Sequence, residues 1–293
     1  MMRAGRVTGW TLAVISTMAV AGGILGASPL AAQQGTAPQA KCQPGPNALG
    51  VSRTVEIDAT GGPRFGRLQY REHDFLQDGE VVLTFDDGPH PTVTREILDA
   101  LAAQCTKATF FYVGSMLKNY PDVARQVQAE GHTVGTHTYS HRNLGASSMG
   151  QAEQQIESTF NIAEATLPDG VAPFFRFPYL SDPKRVRAYL AKRNIATFGI
   201  DVDSWDWRVR TPEKVVQNVL TGLDRKGGGI ILFHDIHERT AKAIPTVLAE
   251  LKARGYKVVH VVPKARLETV AAVEPAAPAP RKRVHRKRRV AKH

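Results

Sequence analysis

From Val81 onward, short runs of β-branched and aromatic residues alternate with longer amphipathic stretches, and this rhythm restricts the chain to parallel βαβ units. The runs predict seven strands: Val81–Phe85, Ala108–Val113, Thr133–Thr136, Phe174–Phe177, Ile195–Val202, Gly229–Phe233 and Tyr256–Val261. Between them, Val93, Ile97, Leu98 and Leu101 share one helical face. Thr211-Pro212 supplies an N-cap and a first-turn proline ahead of Val215, Val216, Val219, Leu220 and Leu223. Asp182-Pro183 predicts the same kind of start before Val186, Tyr189 and Leu190. Gly227-Gly228-Gly229 lacks the Lys-Ser/Thr of a phosphate-cradling loop, and no internal repeat exists beyond the βα rhythm itself.

The flanks read differently from this body. Arg3 and Arg6 precede a mostly apolar stretch from Trp10 to Gly26, followed by small residues around Ala27, Ala31 and Ala32, so residues 1–32 read as an export signal. A span of this size is long enough to stay as an anchor, but its dilution by small residues and the break at Pro29 favour cleavage. Residues 33–77, rich in Gly, Pro and turn formers, predict an extended arm over a body at 78–265. An Ala/Pro-rich linker follows at 266–280, and residues 281–293 form a basic tail expected to be disordered.

The formal charge of +11 suggests a nucleic-acid binder until it is divided along the chain. The tail carries eight cations without an acid and the leader two, which leaves +1 for everything between. Nucleic acid is therefore not an expected partner. A solvated basic tail on an exported protein suits an anionic envelope polymer or lipid surface, or serves solubility alone. With 42% apolar and 22% charged residues in 293, the composition excludes wholesale disorder and a multi-span membrane protein. Cys42 and Cys105 are the only cysteines; in an oxidising compartment they permit one disulfide or stay as two thiols, and they exclude a cysteine-based structural zinc site.

Five polar clusters fall at the carboxyl ends of predicted strands, where α/β sheets and barrels build their active sites. Asp86-Asp87-Gly88-Pro89 places two carboxylates in succession, and consecutive side chains on extended backbone point to different partners, so one can hold a metal while the other acts as a base. His137 and His141 converge on one ion if residues 137–141 turn helically, with Thr138 and Ser140 free to support them. Two histidines and a carboxylate with an open position form a catalytic zinc arrangement. The remaining clusters are Arg176-Phe177-Pro178-Tyr179, Asp203-Ser204-Trp205-Asp206-Trp207 and Leu232-Phe233-His234-Asp235. Alone, each is also readable as a turn, a core run or a buried histidine.

In order and spacing these clusters resemble the motifs of the polysaccharide deacetylase family, the NodB-homology or carbohydrate esterase family 4 domain, over roughly residues 78–262. The resemblance implies an α/β fold of NodB-homology type, a distorted (β/α) barrel with about seven parallel strands. It also implies an exported, metal-dependent enzyme that removes N- or O-acetyl groups from sugars. Carried over, Asp87, His137 and His141 are the metal triad, Asp86 is the general base and Arg176 its partner. Tyr179 offers an oxyanion-binding backbone N–H and a wall of the substrate groove. His234 is the general acid tuned by Asp206, while Trp207 and Leu232 line the pocket for the acetyl methyl. One departure is Leu180, where many members carry Gly after the Tyr, which bears on groove shape.

The residue types suit amide hydrolysis on their own account. A divalent ion, zinc first, with cobalt or another ion as the alternative, makes water nucleophilic at neutral pH, and a histidine can protonate the leaving amine. The expected substrate is an N-acetylglucosamine unit of chitin oligosaccharide, peptidoglycan or a similar glycan met in the periplasm, the cell envelope or the medium. O-acetyl esterase activity on the same scaffold is the alternative within the enzyme class. A non-catalytic carbohydrate-binding module is the alternative outside it. Trp205, Trp207, Phe177 and Tyr179 are candidates for stacking on sugar faces.

Overall fold

The computed structural model describes residues 48–70 and 75–267; the leader, Cys42, the linker from residue 268 and the basic tail lie outside the described residues. The chain opens with β1 (Arg53–Ile57), β2 (Arg64–Phe65), β3 (Glu80–Asp86) and α1 (Val93–Ala103). It continues through β4 (Thr109–Tyr112), α2 (Gly114–Asn119), α3 (Pro121–Ala129), β5 (Thr133–Thr136), α4 (Met149–Thr166) and β6 (Phe174–Phe175). Then come α5 (Lys184–Lys192), β7 (Ala196–Phe198), β8 (Val202–Asp203), α6 (Pro212–Lys226), β9 (Gly229–His234), α7 (Glu238–Ala253) and β10 (Lys257–Pro263). Every strand pairing is parallel, as the βα rhythm demands.

β3 is the centre of the sheet. β4, β5, β6, β7 and β2 follow on one side, β9 and β8 on the other, and β10 joins the first two residues of β3 while carrying β1. The single run predicted at 195–202 is two strands: β7 pairs with β6, the chain bends through Gly199-Ile200-Asp201, and β8 pairs with β9. One run thus serves both ends of the sheet and bends it into a distorted barrel. The bend persists because its backbone groups find other partners. Gly199 N–H donates to the Phe65 carbonyl at 2.7 Å, Ile200 N–H to Gln69 Oε1 at 2.9 Å, and the Asp201 carboxylate accepts from the Ile230 and Arg67 amides at 2.7 Å each.

Those partners come partly from the predicted arm, which contributes two short strands of its own. Ile57 and Phe65 are buried, and Arg53 clasps Glu80 through two hydrogen bonds of 2.8 and 2.6 Å. Short apolar runs suffice because each strand offers the body only one or two inward residues.

Side-chain alternation divides the core in two. Val82, Phe111, Phe174, Phe198, Ile230 and Val259 fill the inner cluster, whereas Leu83, Phe85, Phe110, Phe175, Ile231 and Phe233 meet the apolar faces of the helices. On α1 that face is Val93, Ile97, Leu98 and Leu101, as the periodicity predicts. Thr211 caps α6, its hydroxyl accepting the Lys214 N–H. Asp182-Pro183 departs from expectation: α5 starts at Lys184 with no side-chain cap, because the Asp182 carboxylate is taken by Arg187 at 2.7 Å. Cys105 is disulfide-bonded, so it is not a free thiol.

Candidate active site

The inner face of the barrel leads upward into the site. On β3, Val82, Thr84 and Asp86 point inward; on β6 and just beyond it, Phe174 and Arg176 do so; on β9, Ile230, Leu232 and His234. Alternation therefore carries one apolar layer into a polar one at the carboxyl ends of the strands. Arg176 is fully buried, and its guanidinium is held by the Phe198 and Gly199 carbonyls, by Thr84 Oγ1 at 2.8 Å and by Asp86 Oδ1 at 2.8 Å. Asp86 thus keeps one oxygen engaged and the other at the site. Burial raises its pKa above the usual carboxylate range against the opposing charge of Arg176.

Asp87 lies just past the strand with φ 78, so its carboxylate leaves the pleat and turns to a different partner from that of Asp86. Its Oδ1 stands 3.6 Å from His137 Nε2 and 3.4 Å from His141 Nε2. His137 Nδ1 donates to the Arg176 carbonyl at 2.7 Å, a group that can only accept, so the proton sits on Nδ1 and the Nε2 lone pair faces Asp87. Burial brings His137 down to about 3, which keeps the ring neutral as a ligand must be.

The two histidines do not meet through a helical turn. Residues 137–141 bend, with Thr138 at φ 64 and His141 at φ 52, because the Thr138 and Tyr139 carbonyls accept the Gly114 and Ser115 amides, orphan donors at the start of α2. Nor do Thr138 and Ser140 support the ring nitrogens: Ser140 bonds Gln155, and Thr138 Oγ1 is buried without a partner.

Asp87, His137 and His141 each bring one donor atom within 4.8 Å of the others. Asp87 Oδ1 is buried with no hydrogen-bond partner. An orphaned carboxylate oxygen facing two imidazoles fits a divalent cation, since nothing else in the site satisfies it.

Across the site, His234 Nδ1 meets Asp206 Oδ1 at 2.6 Å, while Asp206 Oδ2 accepts the His234 amide and the Thr240 hydroxyl, both at 2.7 Å. Burial works to raise Asp206, but the bonds from His234 and Thr240 bring it below its ordinary value. For His234, burial works downward, and the Asp206 bond and charge, helped by Asp86 and Asp87, carry it up to about 9. The ring is therefore an imidazolium at neutral pH, able to give a proton.

A cavity of about 440 Å³ opens between these groups, lined by Asp86, Asp87, His137, His141, Phe177, Tyr179, Leu180, Asp203, Trp207, Leu232 and His234. Eight of the ten predicted site residues line it; Arg176 and Asp206 lie behind, fully buried, and act through Asp86 and His234. Tyr179, Trp205 and Trp207 are exposed, and the Tyr179 ring stands edge-on to His141 at 4.6 Å between centroids. Phe177, by contrast, is buried in the core. Leu180 and Asp203 had no assigned role in the sequence. Leu180 adopts φ 53, a conformation that explains why Gly suits this position, and puts a branched side chain on the cavity wall instead.

A family profile described as polysaccharide deacetylase matches residues 76–198. The chitooligosaccharide deacetylase of Azorhizobium caulinodans is 32% identical over 190 residues, 60% of this chain and 90% of that protein. The chain belongs to the polysaccharide deacetylase family. The peptidoglycan-N-acetylmuramic acid deacetylase PdaC of Bacillus subtilis is 36% identical over 183 residues, 62% of this chain but only 38% of that protein. Among solved structures, a peptidoglycan deacetylase of Bdellovibrio bacteriovorus superposes with a TM-score of 0.66 at 32% identity, covering 75% of this chain and 61% of that one. The polysaccharide deacetylase profile takes in Asp86 through Tyr179 but stops short of Asp206 and His234. Geometry brings that second half to the first, since β9 lies directly beside β3.

Proposed function

We propose that the protein is a metal-dependent hydrolase that removes N-acetyl groups from N-acetylglucosamine units of a peptidoglycan- or chitin-type glycan outside the cytoplasm. The observation that carries this reading is the meeting of three candidate ligands, a buried carboxylate held by arginine and a histidine paired with a second buried carboxylate around one cavity. The export assignment rests on residues 1–32 of the sequence.

When bound by Asp87, His137 and His141, a divalent ion, zinc by its fit to two imidazoles and a carboxylate, supplies acidified water and positive charge. Asp86 takes a proton through the oxygen that Arg176 leaves free, while Arg176 limits the swing of the carboxyl group. His234 delivers a proton to the departing nitrogen, and Asp206 fixes the ring tautomer and its orientation. The Tyr179 main-chain N–H is the candidate donor to the developing oxyanion. Leu232 and Trp207 enclose the methyl group of the acetyl, and the exposed aromatic rim offers faces to sugar rings.

Acetate release from N-acetylglucosamine oligomers and from peptidoglycan fragments, measured beside acetylated xylan and with and without chelator, tests the reading. Release from the N-acetylated glycans, abolished by chelator and restored by zinc, is expected. Release from xylan alone would transfer the enzyme to the O-acetyl esterases.

A further inference from the structure

Asp235 follows His234 and is fully buried, yet none of the interactions of the candidate metal site or of the acid pair uses it. Its carboxylate lies under the loop that leaves β3. Oδ1 accepts the Gly88 N–H at 3.0 Å and Oδ2 accepts the Thr94 hydroxyl, on the first turn of α1, at 2.6 Å. Thr94 Oγ1 in turn accepts the His90 N–H at 2.8 Å. One side chain thus ties the residue after Asp87 to the helix that follows it. The rest of the loop is braced as well, the Gly88 carbonyl accepting Val113 N–H at 3.1 Å. Glycine at 88 matches this arrangement, because a Cβ there would overlap the Asp235 carboxylate.

The brace sits where the backbone needs one. Asp87 holds φ 78, a conformation strained for a non-glycine residue, which relaxes unless its neighbours prevent it. That conformation aims Oδ1, buried and unpartnered, at His137 and His141. We propose that Asp235 is a positioning residue that acts as a hydrogen-bond acceptor for Gly88 and Thr94, holding the Asp87 carboxylate in ligand geometry. The inference rests on the metal-centre reading and adds to it the element that fixes the carboxylate ligand.

Zinc affinity of the full chain, titrated against a competing chelator, and the absorption spectrum of the cobalt-loaded protein test it together. Asp235→Ala should bind zinc about 10–100-fold more weakly and change the cobalt spectrum, as loss of a ligand's supporting group does. Asp235→Asn keeps an acceptor for Gly88, and the Thr94 hydroxyl can turn to the Asp235 carbonyl, 3.3 Å away, so this variant should stay within about threefold of the wild type. Wild-type affinity and spectrum in Asp235→Ala overturn the proposal; so does an Asn variant as weak as the Ala variant, since charge rather than acceptance would then be the cause. Should the Ala variant fail to fold, Thr94→Val keeps the carboxylate but frees its outer oxygen, and unchanged zinc affinity there also overturns it. Failure of the wild type to bind zinc or cobalt refutes the metal-centre reading instead, a different outcome from metal bound equally by wild type and variant.

Discussion

His234 shows how a neighbouring charge decides the use of a side chain. Desolvation alone would leave it neutral; the Asp206 carboxylate at 2.6 Å makes it an acid with a pKa of about 9. Only the protonated form can serve the leaving nitrogen, so the alkaline limb of kcat/KM should fall near pH 9. In Asp206→Asn the ring loses its anion, and that limb should move down toward the ordinary histidine value of about 6.5. His234→Ala should lose about 10²–10⁴-fold in turnover with metal content intact. Metal analysis and pH–rate profiles of the three proteins check this, and an unmoved limb in Asp206→Asn would remove Asp206 from its role. The pair was legible in part: Asp206 and His234 stand in recognisable motifs, but the Thr240 hydroxyl that completes Asp206 comes from α7 and carries no signal in its own neighbourhood.

Among the elements, local signals held or failed by what the signalling side chain meets once the fold is made. The Thr211 hydroxyl meets the Lys214 N–H and caps α6; the Asp182 carboxylate meets Arg187 one residue ahead of the Pro183 N-cap and does not cap α5. Thr211→Ala should therefore destabilise the protein by about 1 kcal/mol. Chemical denaturation of this variant against the wild type checks the loss, and an unchanged stability would contradict the cap. The split of 195–202 into β7 and β8 follows the same logic. Gly199 and Asp201 interrupt the apolar run, but the meaning of the interruption depends on Phe65, Gln69 and Ile230, which are distant in sequence.

For the whole molecule, two buried histidines outside the site weaken the fold as the pH drops. His132 Nδ1 accepts the Ala108 N–H at 3.1 Å, and His260 Nε2 lies 3.0 Å from Thr133 Oγ1. Burial, with the Lys107 charge nearby, lowers His132 well below its ordinary value and brings His260 down to about 4. Because the folded-state pKa is depressed, the unfolded chain binds protons that the folded chain refuses as pH drops below about 6.5. The contribution of these two histidines to stability is therefore full above that value and falls toward pH 4, His260 alone losing about 2 kcal/mol by pH 5. Denaturation midpoints of the wild type and of His260→Gln, measured from pH 7.5 to 5, should diverge as the pH drops, the variant losing less. Parallel curves for the two proteins would remove His260 from this role.

What the sequence by itself determined is whatever a short stretch can state. Strand and helix alternation, the opposed directions of Asp86 and Asp87, the tandem carboxylates and the two histidines all follow from residue type and period, because a pleat alternates at every second residue whatever surrounds it. The five clusters were also enough to mark the family. Only the tertiary structure decided how those pieces meet. The bend at residues 137–141 is set by α2, the closure of the sheet by short strands and hydrogen bonds of a segment expected only as an extended arm, and the stance of Asp87 by a carboxylate nearly 150 positions away. Hydrogen-bond partners distant in sequence are chosen by geometry after packing, and a buried group satisfies itself with whichever partner the fold brings near.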